Sequence, residues 1–271
     1  MAMGASRAGT EARGQRRRPT RRYVDLILYK TYAELKAESQ RTYIGFLWWI
    51  IEPVINMLVF YVVFKLILHR GTEDFVPFLL IGVITWKWFQ TTVRGAAVQV
   101  PANKTLMRQV YLPKFVLPST TILKDTCKFL VAFLMLMAFL WVYGFRPGAP
   151  YLALPVLLLI HLLLIAALAY PLAAVYPFVP DLLIPIDHAL QVAFYLSGVF
   201  YAGASLPDGL RPYFYLNPMA NLIEAYREVL MYDRWPDGSG LVWIGSFSVA
   251  GIVAGNYLLR RYDRLYPRVA S

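Results

Sequence analysis

The sequence predicts an all-α integral membrane protein of six transmembrane helices, with an N-terminal interfacial helix and an external re-entrant helical segment before the sixth span. Three observations carry this. Of 271 residues, 58% are hydrophobic and 16% charged, too little charge to cover a soluble globule. Apolar runs recur at about 46–68, 76–93, 124–143, 151–179, 182–201 and 241–259. The basic residues collect in alternate connections: ten precede the first run, four lie between the second and third, and four follow the sixth, against five in the connections of opposite parity. Eighteen against five is a positive-inside pattern, so both termini are expected in the cytoplasm of a multi-pass protein. The net charge of +11 is therefore an orientation signal and not a nucleic-acid one.

Residues 23–262 read as one transmembrane domain between a disordered basic tail, 1–22, and a short cytoplasmic tail, 263–271. The first segment is basic but has no apolar core, so it is not a cleaved secretory signal. Val24, Ile27, Leu28, Tyr32 and Leu35 then fall on one helical stripe, with Asp25, Lys30, Glu34 and Lys36 elsewhere, as in a helix lying along the cytoplasmic membrane surface. In the first span, "GFLWWIIEPVINMLVFYVVFKLIL", Glu52 and Pro53 stand inside a run that outlasts the hydrocarbon core. An ionised carboxylate there costs a few kcal/mol if it meets lipid, so Glu52 must face protein or water.

The connection after the fifth span is long and aromatic. "ASLPDGLRP" is rich in turn residues, and Asn217-Pro218 reads as an N-cap with proline in the first helical position. Met219, Leu222, Ile223, Tyr226, Val229 and Leu230 repeat at helical spacing behind it. This predicts a pair of short helices dipping into the outer leaflet; a helix resting on the headgroups is the competing reading. Glu224 and Glu228 share one face of that helix, and with Arg227 between them a salt-bridged, partly solvated face is favoured over acid/base chemistry.

Several functions are disfavoured. No G-x-x-x-x-G-K-[ST] occurs, so this chain has no phosphate-cradling loop. His69, His161 and His188 have no metal-ligand spacing, and His161, deep in the fourth span, reads as a packing residue. Cys127 is the single cysteine, so no intramolecular disulfide can form. A Gly251-x-x-x-Gly255 motif in the sixth span is assigned to packing within one chain.

"GFLWWIIEP", "NKTLMRQVYLPKFVLP" and "NPMANLIEAYREVLM" occur in that order along the chain. Together they closely resemble the membrane subunits of type-2 ATP-binding-cassette exporters of cell-envelope polysaccharide, the permeases for O-antigen, wall teichoic acid and capsule, leaning to the O-antigen branch. The resemblance covers about 23–262. It implies a bacterial inner-membrane homodimer that docks two copies of a separate ATPase and passes a lipid-linked polysaccharide between its subunits. ATP and Mg would be bound by that partner, with no cofactor or catalytic residue in this chain. A drug or lipid exporter of the same superfamily is the alternative, followed by a membrane-embedded glycosyl or phosphoryl transferase.

The resemblance also implies site residues. The segment 103–113 would seat in the ATPase through Asn103, Leu106, Arg108, Tyr111 and Pro113, joined by Asp181. The family's Arg-Asp dipeptide is Pro180-Asp181 here, which removes one arginine contact. The first and fifth spans would line the channel, so that Glu52 contacts substrate or pairs with a neighbouring span. Flat aromatic walls suit a sliding sugar chain, and Trp48, Trp49, Tyr61, Tyr195, Phe200 and Tyr201 are the candidates. Trp86 and Trp88 are weighed beside them against an interfacial aromatic belt. Asn217, Pro218, Leu222, Ile223, Glu224 and Arg227 would form the external gate, with apolar faces against the fifth span and charges towards water.

Overall fold

Helix follows helix along the described chain, and no strand interrupts them. The computed structural model describes residues 19–40, 45–63, 74–109, 112–263 and Tyr266. In chain order the helices are α1 (Pro19–Gln40), α2 (Trp48–Phe60), α3 (Phe75–Ala97), α4 (Gln99–Ala102), α5 (Lys104–Gln109), α6 (Val116–Tyr143), α7 (Leu154–Val175), α8 (Leu183–Leu196), α9 (Arg211–Phe214), α10 (Pro218–Leu230) and α11 (Gly238–Arg261). Among the described residues three stretches are long and apolar enough to cross a membrane: α6, α7 with its flanking turns (Ala149–Phe178), and α11.

α3 lies at the centre. Leu79, Leu80, Ile81, Trp86, Phe89 and Val93 are all buried on it, and the same core takes in Leu136 and Leu140 of α6, Leu157 and Leu164 of α7, and Leu222 and Ile223 of α10. α11 runs along α7 at very close approach: a Cβ on Gly251 would stand 2.8 Å from the Ala167 Cβ, and one on Gly255 would stand 2.6 Å from Pro171 Cδ. The paired glycines therefore serve packing inside one chain, because only a missing side chain lets the two backbones come this near.

α1 does not lie apart from the bundle. Its Val24, Leu28 and Tyr32 are exposed, while the face holding Lys30, Thr31 and Glu34 turns to α6. Glu34 pairs with Lys30 at 2.7 Å and with Lys124 at 3.6 Å, and Glu38 pairs with Lys128. The contact is electrostatic because α6 offers Lys124 and Lys128 there, and an amphipathic helix can satisfy them without losing its apolar outer stripe.

Three expected boundaries shift. α1 begins at Pro19, four residues inside the expected disordered tail. The expected C-terminal tail holds Tyr266, fully buried, whose hydroxyl donates to the Ala174 carbonyl at 3.1 Å. The fifth span is also shorter than its apolar run, since α8 ends at Leu196 and the chain turns at Gly198 with φ +68. That left-handed conformation is one glycine adopts without strain. Residues 64–68 of the first span lie outside the described residues.

Candidate functional site

α2, α3 and α6 enclose a cleft of about 250 Å³. Pro53 stands inside α2, and the helix continues through it. Glu52, one residue before, accepts a hydrogen bond from Lys87 Nζ of α3, and both side chains are about half exposed, at 47% and 44%. The carboxylate is thus neutralised across a helix pair, which lowers its cost in an apolar medium. Lys128 repeats the device from α6, pairing with Glu38 while standing 5.7 Å from the centre of the Trp49 ring. Asp125, Asn56 and Thr91 complete the polar lining. Each lysine has its own carboxylate, so the cleft offers aromatic surface, amide and hydroxyl groups without a strong excess of either charge.

The cleft brings Trp49 and Glu52 together, but its lining does not include Trp48, Tyr61, Tyr195, Phe200 or Tyr201. Trp48 is exposed at the start of α2, and Tyr61 is exposed just past its end. Tyr195, Phe200 and Tyr201 gather at the end of α8, where Tyr195 and Phe200 stack at 6.1 Å and the Tyr201 hydroxyl donates to the Tyr195 carbonyl at 3.1 Å. Trp86 and Trp88 form no exposed belt, since both are buried. The Trp86 indole donates to Gln90, and Trp88 stacks on Phe129 at 4.0 Å and touches His161 at 4.5 Å. They pack inside because α3 is surrounded by protein on most of its circumference. His161 is itself buried, with Tyr226 beside its Nδ1 at 3.5 Å, as a packing histidine is expected to be.

At the opposite end of the bundle α9 and α10 form the short helical pair. Asn217 caps α10 by accepting from the Met219 amide at 3.0 Å, with Pro218 following it. All six apolar residues expected at helical spacing are buried. Two expectations need correction. The apolar face of α10 packs on α3, α7 and α11 rather than mainly on the helix of the fifth span. Arg227 does not join Glu224 and Glu228 at water: it is 3% exposed and donates to the carbonyls of Phe78, Gly198 and Val199 at 3.2, 2.8 and 2.9 Å. The reason lies just past α8, where the chain turns at Gly198 and leaves the buried Gly198 and Val199 carbonyls outside any helix, and the fork of a guanidinium can serve several at once.

Glu224 and Glu228 do share a face, lining a second cleft of about 530 Å³ between α10 and the start of α11. Of the residues expected to meet the ATPase, Asn103 accepts from Lys30 of α1 at 3.2 Å, Leu106 is 38% exposed, Pro113 is half-buried, and Asp181 is exposed in the turn before α8. Tyr111 and the side chain of Arg108 lie outside the described residues. Nearby, Arg94 and Asp187 join α3 to α8 by two hydrogen bonds, at 2.7 and 3.2 Å.

Sequence reasoning missed the partners of Glu52. The usable signal was the spacing of Thr121, Asp125 and Lys128, four and three apart on α6, with Lys87 and Thr91 four apart on α3. Two polar stripes on apolar helices must face each other or water.

A family profile described as ABC-2 type transporter matches residues 26–231, which takes in the whole of the first cleft and the α10 side of the second. The chain belongs to that family. Among relatives of this ABC-2 membrane chain, the O-antigen export system permease protein RfbA of Myxococcus xanthus is 29% identical over 229 residues, 84% of this chain and 88% of that protein. A Klebsiella pneumoniae protein of the same name is 25% identical over 208 residues, covering 76% and 80%. The polysialic acid transport protein KpsM of Escherichia coli is 24% identical over 234 residues, covering 84% and 89%.

Proposed function

We propose that this chain is the permease of a polysaccharide exporter, most similar in role to the O-antigen systems. The observation that carries the reading is the near end-to-end match, in both directions, to permeases named for O-antigen and polysialic acid. Two copies form the channel in the bacterial inner membrane, each engaging a separate ATPase that binds ATP and Mg, and a lipid-linked polysaccharide passes between them. Both termini are cytoplasmic. Six segments cross the bilayer: α2, α3, α6, α7, α8 and α11. α8, at 14 residues, spans only about 21 Å and is completed by the irregular chain that Arg227 holds. The α9–α10 pair closes the external end.

The charge balance of the α2–α3–α6 cleft supports a substrate held by aromatic and hydroxyl contacts. Deleting the gene should remove polymer from the cell surface while polymer accumulates inside. The intact complex should weigh as two permeases plus two ATPases. Normal surface polymer with a new drug sensitivity would favour the drug or lipid exporter instead.

A further inference from the structure

A further cleft, of about 340 Å³, lies where the start of α1, the turn before α6 and the end of α11 meet. Tyr23 and Phe115 form its aromatic side, edge to face at 5.7 Å. Lys114 reaches in from the turn, buried, its ammonium donating to the Leu112 carbonyl at 2.9 Å and standing 3.7 Å from Asp263. Those two charges offset each other. Arg260 lines the same cleft, and both it and Arg261 are exposed in the last turn of α11. Among the described residues neither arginine has an ion-pair partner. Arg21 and Arg22 stand in the first turn of α1, so both helices are basic where they meet. The carbonyl end of α11 opposes an anion with about half a charge, which two full guanidinium charges exceed.

The depth of the cleft says which kind of anion meets it. α11 is long and apolar enough to cross a membrane, so Arg260 in its last turn stands at headgroup level. Tyr257 and Tyr262, 64% and 39% exposed just before and after it, are placed as interfacial tyrosines are. From Tyr23 the exposed stripe of Val24, Leu28 and Tyr32 leads away along α1, an apolar surface beside the basic one. We infer that the cleft seats the phosphate of a net-anionic glycerophospholipid of the phosphatidylglycerol class, with Arg260 donating to the phosphate oxygens and the Tyr23–Phe115 pair against the glycerol backbone. A guanidinium presents a planar fork that matches two phosphate oxygens. A zwitterionic lipid brings the same phosphate with a cation attached, and Arg260, Arg261 and Lys114 repel that cation. Basic pockets at the cytoplasmic ends of membrane helices take anionic headgroups for these reasons. The assignment to the cytoplasmic leaflet rests on the topology proposed above, whereas the lipid contact needs only that α11 crosses the bilayer.

The test titrates short-chain phosphatidylglycerol or phosphatidylcholine into the full chain in detergent and counts bound lipids by native mass spectrometry. A single phosphatidylglycerol per chain should bind well before further copies add, and phosphatidylcholine should show no such first step. Arg260→Gln should weaken that step about fivefold, the worth of one basic residue at a membrane surface. Arg146→Gln, which removes the same charge from the connection between α6 and α7, should leave it unchanged. Both positions are exposed, so folding is not at stake. Equal binding of the two lipids by wild type, or equal losses in the two variants, overturns the inference. Displacement of the lipid by millimolar inorganic phosphate would assign the cleft to a free anion and overturn the lipid as its occupant. So would loss of the ATPase from the purified complex in Arg260→Gln with the lipid step unchanged, which would give this surface to the ATPase. Surface polymer is scored separately in wild type and in the gene deletion, so the permease reading stands or falls independently of the lipid result.

Discussion

The guanidinium of Arg227 on α10 donates to the carbonyl of Val199 at 2.9 Å, tying α10 to the chain just past the end of α8. The same side chain reaches Gly198 and stands over the Phe78 ring. A Cβ at Gly82 would lie 2.9 Å from Arg227 Nη2, so the neighbouring helix is shaped to leave the fork its place. Arg227→Met should lower stability by about 3 kcal/mol, because it strands buried carbonyls. Arg227→Lys should recover little, since an ammonium cannot fork. Gly82→Ala should act in the same direction more weakly. Thermal unfolding in detergent reads all three, and an unchanged midpoint for Arg227→Met would remove the pin.

Leu222 and Ile223 are fully buried. Cysteine at either position should resist a membrane-impermeant maleimide that labels Tyr213→Cys, which replaces a 72% exposed side chain. Replacing both by alanine should cost about 4–8 kcal/mol by soluble-core standards and less beside lipid. If α10 closes the channel, the double variant raises resting conductance across a planar bilayer. A wild-type leak would mean that α10 supports the bundle without gating it.

Glu52 and Lys87 should behave as a pair. Glu52→Gln and Lys87→Met should each impair export, and their combination should be no worse than either alone. The coupling energy in a double-mutant cycle should be about 0.5–1 kcal/mol, modest because both groups are half exposed. Strict additivity would mean that the two act separately.

Asp237 sets a pH dependence. Hydrogen bonds from the Ser239 hydroxyl, then from the Gly240 and Ser239 amides, hold its carboxyl below the ordinary value of 3.8. A lowered folded value means that the cap contributes fully above about pH 4 and is lost as pH falls through the folded value. Asp237→Ala should cost about 1 kcal/mol at pH 7. The gap between variant and wild type should close under acid, and a gap that persists at pH 2 would contradict the assignment.

Charge reversal at Arg108 together with Tyr111→Ala should leave the protein inserted while separating ATP hydrolysis from export. Polymer export at the wild-type rate in that variant would remove 103–113 from the ATPase contact.

Helical class, the apolar runs, the amphipathic α1, the Asn217 cap and the apolar face of α10 could all be read from the chain, because each depends on residues within a few turns of one another. The candidate site was readable only in part. Glu52 had to be shielded, and the cost of a bare carboxylate says so without a structure. That Lys87 shields it, and that Lys128 answers Glu38 beside it, depends on how α2, α3 and α1 are placed around α6, which no local pattern records. Arg227 shows the same limit most clearly. Its neighbours Glu224 and Glu228 made a solvated salt bridge the natural reading, since charges four apart on a helix usually meet water. Tertiary structure decided otherwise because α8 stops after 14 residues and turns at Gly198. The Gly198 and Val199 carbonyls past its end lie inside the protein, where an unmade hydrogen bond is costly and the buried fork of Arg227 supplies the donors.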